Sequence, residues 1–245
     1  MLKKAIIGSP FERLARRLYL RMDYSVGGLS ERDILPVLRR SLERNSNCID
    51  IGAHRGTILE EILALSPRGV HYAFEPITSH YEYLKKQYPS VQVFPLALSD
   101  TKTEKQFAHV VDRPTRSGFI HAQTLDESVE LITVHTDLLD NLIPTALTIN
   151  LIKIDVEGAE FEVLRGSQQT IIRNRPIIYF EHNQKTCAPY GVNSADIYGF
   201  LVDHCRFNLW MPKMWLKGEP PLSLNSFIEA AKFGYSFNFL ACDHW

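Results

Sequence analysis

The sequence has few cysteines, and their spacing joins none of them into a known motif. The four cysteines are scattered, and no two of them form a C-x-x-C pair: Cys48, Cys187, Cys205 and Cys242. This distribution predicts neither a zinc knuckle nor a disulfide scaffold. It is typical of buried free thiols in a reducing compartment.

Long apolar runs and an excess of one charge are also missing. No uninterrupted apolar stretch approaches the length of a membrane span, and no secretory signal follows the basic first residues. The 27 lysines and arginines nearly balance the 28 aspartates and glutamates, for a formal net charge of −1. The molecule as a whole therefore has no electrostatic bias toward nucleic acid. We expect a cytoplasmic protein without a nucleic-acid partner.

The residues that are present are those of an ordinary globular protein. The 245 residues are 45% hydrophobic and 22% charged, enough for one well-filled α/β domain. We expect an N-terminal helical extension at 1–45 and a single domain at 46–245. Apolar residues at helical spacing in 11–22, with arginines on other faces, predict a surface helix packed on the domain. Contact of this basic helix with an anionic membrane is the less favoured alternative.

From residue 46 onward, strand and helix patterns alternate. Strands are predicted at 47–51, 70–75, 91–95, 147–155, 176–182, 206–211 and 235–241, and helices at 30–44, 57–65, 78–88, 137–143, 159–172, 194–205 and 225–233. This alternation predicts a mostly parallel sheet with right-handed crossovers and helices on both faces. Strand patterns at 104–111 and 128–134 interrupt it and predict an inserted β-hairpin. A rigid aromatic loop is expected at 211–221.

A glycine-containing turn between the first strand and the next helix is the best candidate ligand site. Gly52 and Gly56 have no Cβ, so a ligand can lie against bare backbone there. The helix beginning at Thr57 directs free N–H groups toward an anionic group. Asp50 ends the strand, and Glu75 ends the following one, where open α/β sheets bind ribose hydroxyls.

Two cofactors fit this strand, loop, helix and acid. A dinucleotide site requires G-x-G-x-x-G, whereas the pattern here is Asp50-x-Gly52-x-x-x-Gly56, with fewer close glycines and an acid within the motif. S-adenosylmethionine fits better, because it has an ammonium group for the acid, a carboxylate for the helix N–H groups and a ribose for Glu75. An NAD-linked oxidoreductase of Rossmann type and a non-catalytic adenosyl-binding or partner-binding module are the alternatives.

A second group of polar residues follows the apolar strand at 147–155. Lys153 and Asp155 are two residues apart and face the same side of the strand, and a lysine in an apolar run requires a partner. Glu157 begins the next turn, and Glu181 and His182 end the neighbouring strand. We expect this cluster to remove a proton from a hydroxyl that attacks a methyl group.

Each member of this cluster also has a structural interpretation. Asp155 is equally consistent with a helix cap, and Glu157 and Glu160 with first-turn acids that stabilise the helix dipole. His182 is equally consistent with a buried, hydrogen-bonded histidine. Carboxylate oxygens would suit Mg²⁺ or Ca²⁺, but nothing in the spacing requires a metal, and we assign none.

The chain resembles the FkbM family of S-adenosylmethionine-dependent methyltransferases from about residue 46 to about residue 210. The resemblance is carried by IDIGAHRG at 49–56, FEP at 74–76, ALSD at 97–100 and, most specifically, LIKIDVEGAE at 151–160 with VLRG following. It implies a Rossmann-like class I methyltransferase fold with a seven-stranded sheet. It also implies methyl transfer, commonly to a hydroxyl oxygen of a sugar, glycan or natural product.

The resemblance implies roles for individual residues as well. It places the cofactor against Asp50, Gly52, Ala53, His54, Gly56, Thr57, Glu75, Pro76, Ala97, Leu98, Ser99 and Asp155. Among these, Glu75 is expected to hold the ribose, residues 97–99 to flank the adenine, and Asp155 to lie beside the sulfonium. His54 departs from the family, which usually has asparagine there. A small-molecule or glycan acceptor is expected near Trp215 and His182; the oligomeric state is not indicated.

Overall fold

The computed structural model describes residues 34–111, 117–119 and 128–243. The helix predicted at 11–22 lies outside the described residues, and so do the first residues of the helix predicted at 30–44. The described part of that second helix is α1 (Ile34–Ser41). Within the described residues, no helix has both the length and the apolarity needed to cross a membrane. All four cysteines lie in this part of the chain, are buried and form no disulfide, as predicted.

A seven-stranded sheet forms the centre of the described structure. Its strands, numbered along the chain, lie in the spatial order β3 (Gln92–Phe94), β2 (His71–Phe74), β1 (Cys48–Ile51), β7 (Leu151–Ile154), β8 (Ile177–Glu181), β10 (Asn238–Cys242) and β9 (Asn208–Trp210). All neighbours are parallel except β10, which is antiparallel to both β8 and β9. The chain runs outward in opposite directions from β1 and from β7, so the topological switch point lies between these strands. The predicted Rossmann-like architecture is confirmed.

Helices cover both faces of this sheet, because its central strands are apolar on both sides. In β7, Leu151 packs with α1, while Ile152 and Ile154 pack into the core on the opposite face. A strand buried on both faces is expected to be almost continuously apolar. The helices that follow α1 are α2 (Thr57–Leu65), α3 (Thr78–Gln87), α4 (Leu139–Leu142), α5 (Glu160–Gly166), α6 (Gln168–Asn174), α7 (Gln184–Cys187), α8 (Ser194–Tyr198), α9 (Pro212–Lys217) and α10 (Leu224–Phe233).

The predicted hairpin is present and belongs to a second, three-stranded sheet. Strands β5 (Thr103–Val110) and β6 (Val129–Asp137) are antiparallel, and every residue of β5 is paired with a residue of β6. Before the hairpin, Ala97 and Leu98 form β4, a short strand parallel to β6. The backbone after β3 is thus held by the inserted sheet rather than by a free turn.

Three further elements differ from the sequence prediction. The helix expected at 159–172 is divided at Ser167, whose buried hydroxyl donates to the Val163 carbonyl. The loop expected at 211–221 contains α9, which has a proline in its first turn, a position that favours helix initiation. The helix expected at 194–205 is α-helical only to Tyr198 and continues as π-helix from Gly199 to His204.

Candidate functional site

The loop after β1 closes tightly against the protein itself. Gly52 adopts φ 73° and Gly56 φ 78°, and a Cβ on Gly52 would lie 1.9 Å from the Asp155 carbonyl oxygen. A Cβ on Gly56 would lie 2.6 Å from the Tyr88 ring. The Cβ positions of both glycines thus face protein atoms. Gly52 lies against the turn after β7, because β1 and β7 are adjacent, and Gly56 lies against the Tyr88 ring that follows α3. That a ligand lies against the bare backbone of this loop stays a prediction.

Glu75 ends β2 and is joined to this loop. Its carboxylate accepts hydrogen bonds from the backbone N–H of His54 at 2.8 Å and of Ile77 at 2.9 Å. The side chain is almost fully buried, and the His80 ring lies 3.8 Å away. The structure thus brings the predicted ribose acid to the glycine loop. It also shows a structural role for this acid, which holds the loop through the His54 amide.

The remaining predicted loop residues lie around the same turn. Ala53 is buried with Leu84, Thr57 is the first residue of α2, and the rings of His54 and His80 meet edge-on with centroids 4.3 Å apart. Pro76 follows Glu75 and is half-buried. These residues therefore share one end of the sheet, as the sequence predicts.

A buried lysine lies beneath the loop. Lys153 Nζ lies 3.2 Å from Asp50 Oδ1 and 3.5 Å from Asp155 Oδ2, and it donates to the carbonyl oxygens of Gly52 at 2.8 Å and Ile51 at 3.3 Å. Burial alone would lower the pKa of Lys153, but the two carboxylates outweigh it and raise that pKa. The ammonium therefore stays charged.

The Asp50 carboxylate faces this lysine and not the outside of the molecule. Asp50 is 1% exposed and lies opposite Lys153 in the register of β1 and β7. The expectation that Asp50 binds a ligand directly is not supported by this placement. Its contribution to the loop is made through the Lys153 ammonium.

Three carboxylates converge where β7 and β8 end. One oxygen each from Asp155, Glu157 and Glu181 lies within 4.8 Å of the others. The Asp155 side chain is 44% exposed. Burial raises the pKa of Glu181 to about 10, reinforced by the charges of Asp155 and Glu157. The structure thus brings three of the four predicted catalytic residues together.

Glu160, which the sequence could equally make a helix-dipole acid, holds the turn that presents these carboxylates. Its Oε1 accepts hydrogen bonds from the backbone N–H groups of Val156 and Gly158, both at 3.1 Å. The turn requires unusual backbone angles, with φ 56° at Glu157 and 109° at Gly158. Glu160 is 1% exposed, and burial raises its pKa to about 7. The sequence signal for this role is the glutamate two residues after Gly158.

His182 is not presented to the carboxylates. Its ring is fully buried, Nε2 lies 2.9 Å from Ser194 Oγ, and the ring stacks on Phe227 at 5.3 Å. Burial lowers the pKa of His182 to about 4. The structural interpretation of this histidine fits these contacts, and the predicted catalytic role does not. Adjacent strand residues face opposite sides, so the placement of Glu181 at the site turns His182 away.

The expectation that residues 97–99 flank the adenine changes for Ser99 and Leu98. Ser99 is fully buried; it donates to Glu162 Oε2 at 2.7 Å and accepts from Lys105 Nζ at 3.0 Å. Leu98 is a core residue. Ala97 packs near Ile77, which is two residues after Glu75 in the chain. Of residues 97–99, Ala97 is therefore the best placed to flank a ligand.

Trp215 does not lie beside the acidic cluster. It packs against Trp210 and α1, with the Arg40 guanidinium 4.9 Å from its ring centroid. Together with Ile149, Ile177 and other residues, it lines a pocket of about 360 Å³ at the edge where β7 and β8 begin. This placement does not support one acceptor pocket shared by Trp215 and His182, because α9 packs on α1 and β10.

A model of the methyltransferase FkbM domain matches residues 50–209 of the chain. Among solved structures, a methyltransferase FkbM from Methylobacillus flagellatus KT is 13% identical with a TM-score of 0.49, and the match covers 70% of this chain and 42% of that one. The chain thus spans less than half the length of that structure.

Two further solved structures are similar over more of their length. A putative rRNA-methylase from Clostridium thermocellum is 9% identical with a TM-score of 0.49, over 89% of this chain and 96% of that one. The plantazolicin methyltransferase BpumL in complex with SAH is 10% identical with a TM-score of 0.46, over 98% and 93%. Comparison with curated proteins found no match.

Proposed function

The chain belongs to the FkbM methyltransferase family, and from this premise we propose that it transfers a methyl group from S-adenosylmethionine to a hydroxyl oxygen of a small-molecule, sugar or glycan acceptor. The observation that supports this most is the contact between the glycine loop after β1 and the end of β7, where the acidic cluster begins. The glycine loop packs on the Asp155 carbonyl, and Lys153 contacts both the Gly52 carbonyl and the Asp155 carboxylate. A cofactor at the loop would therefore be next to the acidic cluster.

The cofactor would lie across the switch point between β1 and β7. Its ribose would be bound by Glu75 and its methionine end by the loop at 52–56, since ligands of open α/β sheets bind beyond the carboxyl ends of the strands. Asp155 would lie beside the sulfonium, where a carboxylate stabilises the positive charge. The adenine would extend toward Ala97. The family match to methyltransferases leaves the oxidoreductase alternative without support.

The reaction would be a direct displacement. A lone pair of the acceptor oxygen forms a bond to the methyl carbon as the carbon–sulfur bond breaks, and that electron pair stays on sulfur to give neutral S-adenosylhomocysteine. The hydroxyl proton would pass to the acidic cluster, where the Asp155 side chain is 44% exposed, and where burial and the neighbouring carboxylates raise the pKa of Glu181. Holding oxygen, carbon and sulfur in line can contribute on the order of 7–11 kcal/mol.

Glu75→Gln tests the cofactor site. Glutamine keeps an acceptor oxygen for one of the two amides that Glu75 binds, but it loses the charge and the second acceptor. We expect the Kd for S-adenosylhomocysteine to rise about tenfold or more, which corresponds to about 1.4 kcal/mol, in isothermal titration calorimetry.

Glu82→Gln is the matched control, because Glu82 is an exposed acid on the neighbouring helix α3. Its affinity for S-adenosylhomocysteine should equal that of the wild type. If Glu75→Gln binds S-adenosylhomocysteine as tightly as the wild type, Glu75 does not bind the ribose. A wild-type protein that binds neither S-adenosylmethionine nor S-adenosylhomocysteine would refute the proposed function.

A further inference from the structure

Residues 117–119, in the connection between β5 and β6, lie along the edge of β5 that faces away from β6. Gly118 and Ala108 form an antiparallel bridge, in which the backbone N–H of each donates to the carbonyl oxygen of the other, at 3.1 Å and 2.8 Å. Ser117 Oγ accepts a hydrogen bond from the backbone N–H of Val110 at 2.9 Å. These hydrogen bonds fix the segment 117–119 to the inserted sheet.

At Gly118 this segment meets the turn that follows β7. Gly118 is buried, and a Cβ on it would lie 3.6 Å from the Glu157 carbonyl oxygen and 3.4 Å from the Tyr190 hydroxyl. One carboxylate oxygen of Glu157 lies within 4.8 Å of one of Asp155, the acid that would lie beside the sulfonium. The segment therefore borders the end of the site at which the methyl group would be transferred.

At Phe119 the same segment reaches the other end of the site. Phe119 and Ala97 are half-buried and pack against the apolar cluster that contains Ile77 and Phe107. The Ile77 backbone N–H donates to the Glu75 carboxylate at 2.9 Å, which is the group that would bind the ribose. Two consecutive residues of the segment thus border the two ends of the proposed cofactor site.

The Phe119 ring is held in place although it is only half-buried. It meets the Phe107 ring edge-on with centroids 5.6 Å apart, and Lys105 Nζ lies 5.0 Å from its centroid. Lys105 is itself fixed, because it donates to Glu162 Oε2 at 2.6 Å. An aromatic ring held in this way is suited to a nucleobase, since every base has an aromatic face on which a ring can stack.

We propose that Phe119 contacts the adenosyl group of the bound cofactor, so that the inserted hairpin forms one wall of the cofactor site. This inference rests on the proposed function, which places S-adenosylmethionine between Glu75 and Asp155. None of the motifs that carry the family resemblance includes residues 117–119. The contact would therefore add a cofactor-binding residue from outside those motifs.

Calorimetry with S-adenosylhomocysteine on the full chain tests this contact without any acceptor. We expect the Kd of Phe119→Ala to be at least about fivefold higher than that of the wild type, which is the lower end of the loss caused by removing a ring stacked on a base. Ile132→Ala is the matched control, because Ile132 is half-buried against the same apolar cluster but lies on β6. Its Kd should equal that of the wild type.

Equal affinity in Phe119→Ala and the wild type, or an equal loss in both variants, would overturn the inference. Hydrogen–deuterium exchange of the wild type is the second measurement, used if circular dichroism shows that Phe119→Ala is not folded. S-adenosylhomocysteine should slow deuterium uptake in peptides that contain 117–119 and in peptides that contain the loop at 52–56. Slower uptake at 52–56 alone overturns this inference and leaves the proposed function. A wild type that does not bind S-adenosylhomocysteine overturns both.

Discussion

At the scale of single residues, one buried lysine connects the two halves of the site. Lys153 contacts Asp50 of the neighbouring strand, the Gly52 carbonyl of the loop and the Asp155 carboxylate at the strand end. A buried charge of this kind is stable only with its partners, and removal of one partner leaves the other uncompensated. We therefore regard Lys153 as a positioning residue that fixes the loop and Asp155 relative to each other.

Lys153→Met should lower the free energy of unfolding by about 3–5 kcal/mol, because Asp50 would remain buried without its cation. Urea unfolding followed by circular dichroism measures this change. The double variant with Asp50→Asn should be more stable than Lys153→Met alone, since no buried charge is left behind. If the two variants are equally unstable, the pairing with Asp50 does not explain the loss.

At the scale of elements, the loop between β1 and α2 depends on close backbone contact with the turn after β7. The backbone of Gly52 approaches the Asp155 carbonyl so closely that any side chain must displace one of the two strands' ends. Gly191 has almost the same φ, 70°, but no atom lies within 4 Å of its Cβ position. Comparing substitutions at Gly52 and Gly191 therefore separates two effects on stability: that of the positive φ, which both share, and that of the close contact, which only Gly52 has.

Gly52→Ala should destabilise the protein by at least about 2 kcal/mol more than Gly191→Ala. Both variants place a Cβ on a left-handed residue, which costs about 1–2 kcal/mol, but only the first adds a clash with backbone. Urea unfolding gives the two values, and calorimetry with S-adenosylhomocysteine should show loss of binding in the Gly52 variant alone. Equal destabilisation would mean that the loop adapts to the added methyl group.

At the scale of the whole molecule, buried histidines make stability depend on pH. His71, at the start of β2, is 2% exposed, and its Nε2 lies 2.8 Å from the Ser66 carbonyl oxygen. Burial lowers its pKa in the folded state, an effect that this hydrogen bond only partly offsets. The unfolded chain, with a histidine pKa of about 6.5, therefore binds this proton more readily than the folded protein does.

The contribution of neutral His71 is fully present above about pH 6.5 and declines as the pH falls toward the lowered folded-state pKa, by at most about 1.4 kcal/mol per pH unit. His71→Gln keeps a donor for the Ser66 carbonyl. As the pH is lowered from 7.5 to 5.5, its free energy of unfolding, measured with urea, should fall less than that of the wild type. His135→Gln, at a largely exposed position, is the control and should change little. Identical pH dependence in all three proteins would contradict this role of His71.

The alternation of strands and helices was predictable because it is local. An apolar run such as 151–154 has the composition of a strand buried on both faces, and a proline such as Pro67 or Pro89 marks the end of the helix before it. The convergence of Glu75 and the glycine loop was also predictable, since parallel strands all present their carboxyl ends at one edge. The sequence by itself therefore determined the sheet, the edge that carries the site and, through its motifs, the family.

The tertiary structure alone decided which side chains meet at that edge. The pairing and register of β1 and β7 place Asp50 opposite Lys153. The packing of Phe227 and Ser194 buries His182. The return of α9 across the sheet carries Trp215 to the opposite edge. Each of these outcomes depends on contacts between residues far apart in the chain, and local spacing contains no information about which distant partner a side chain will face.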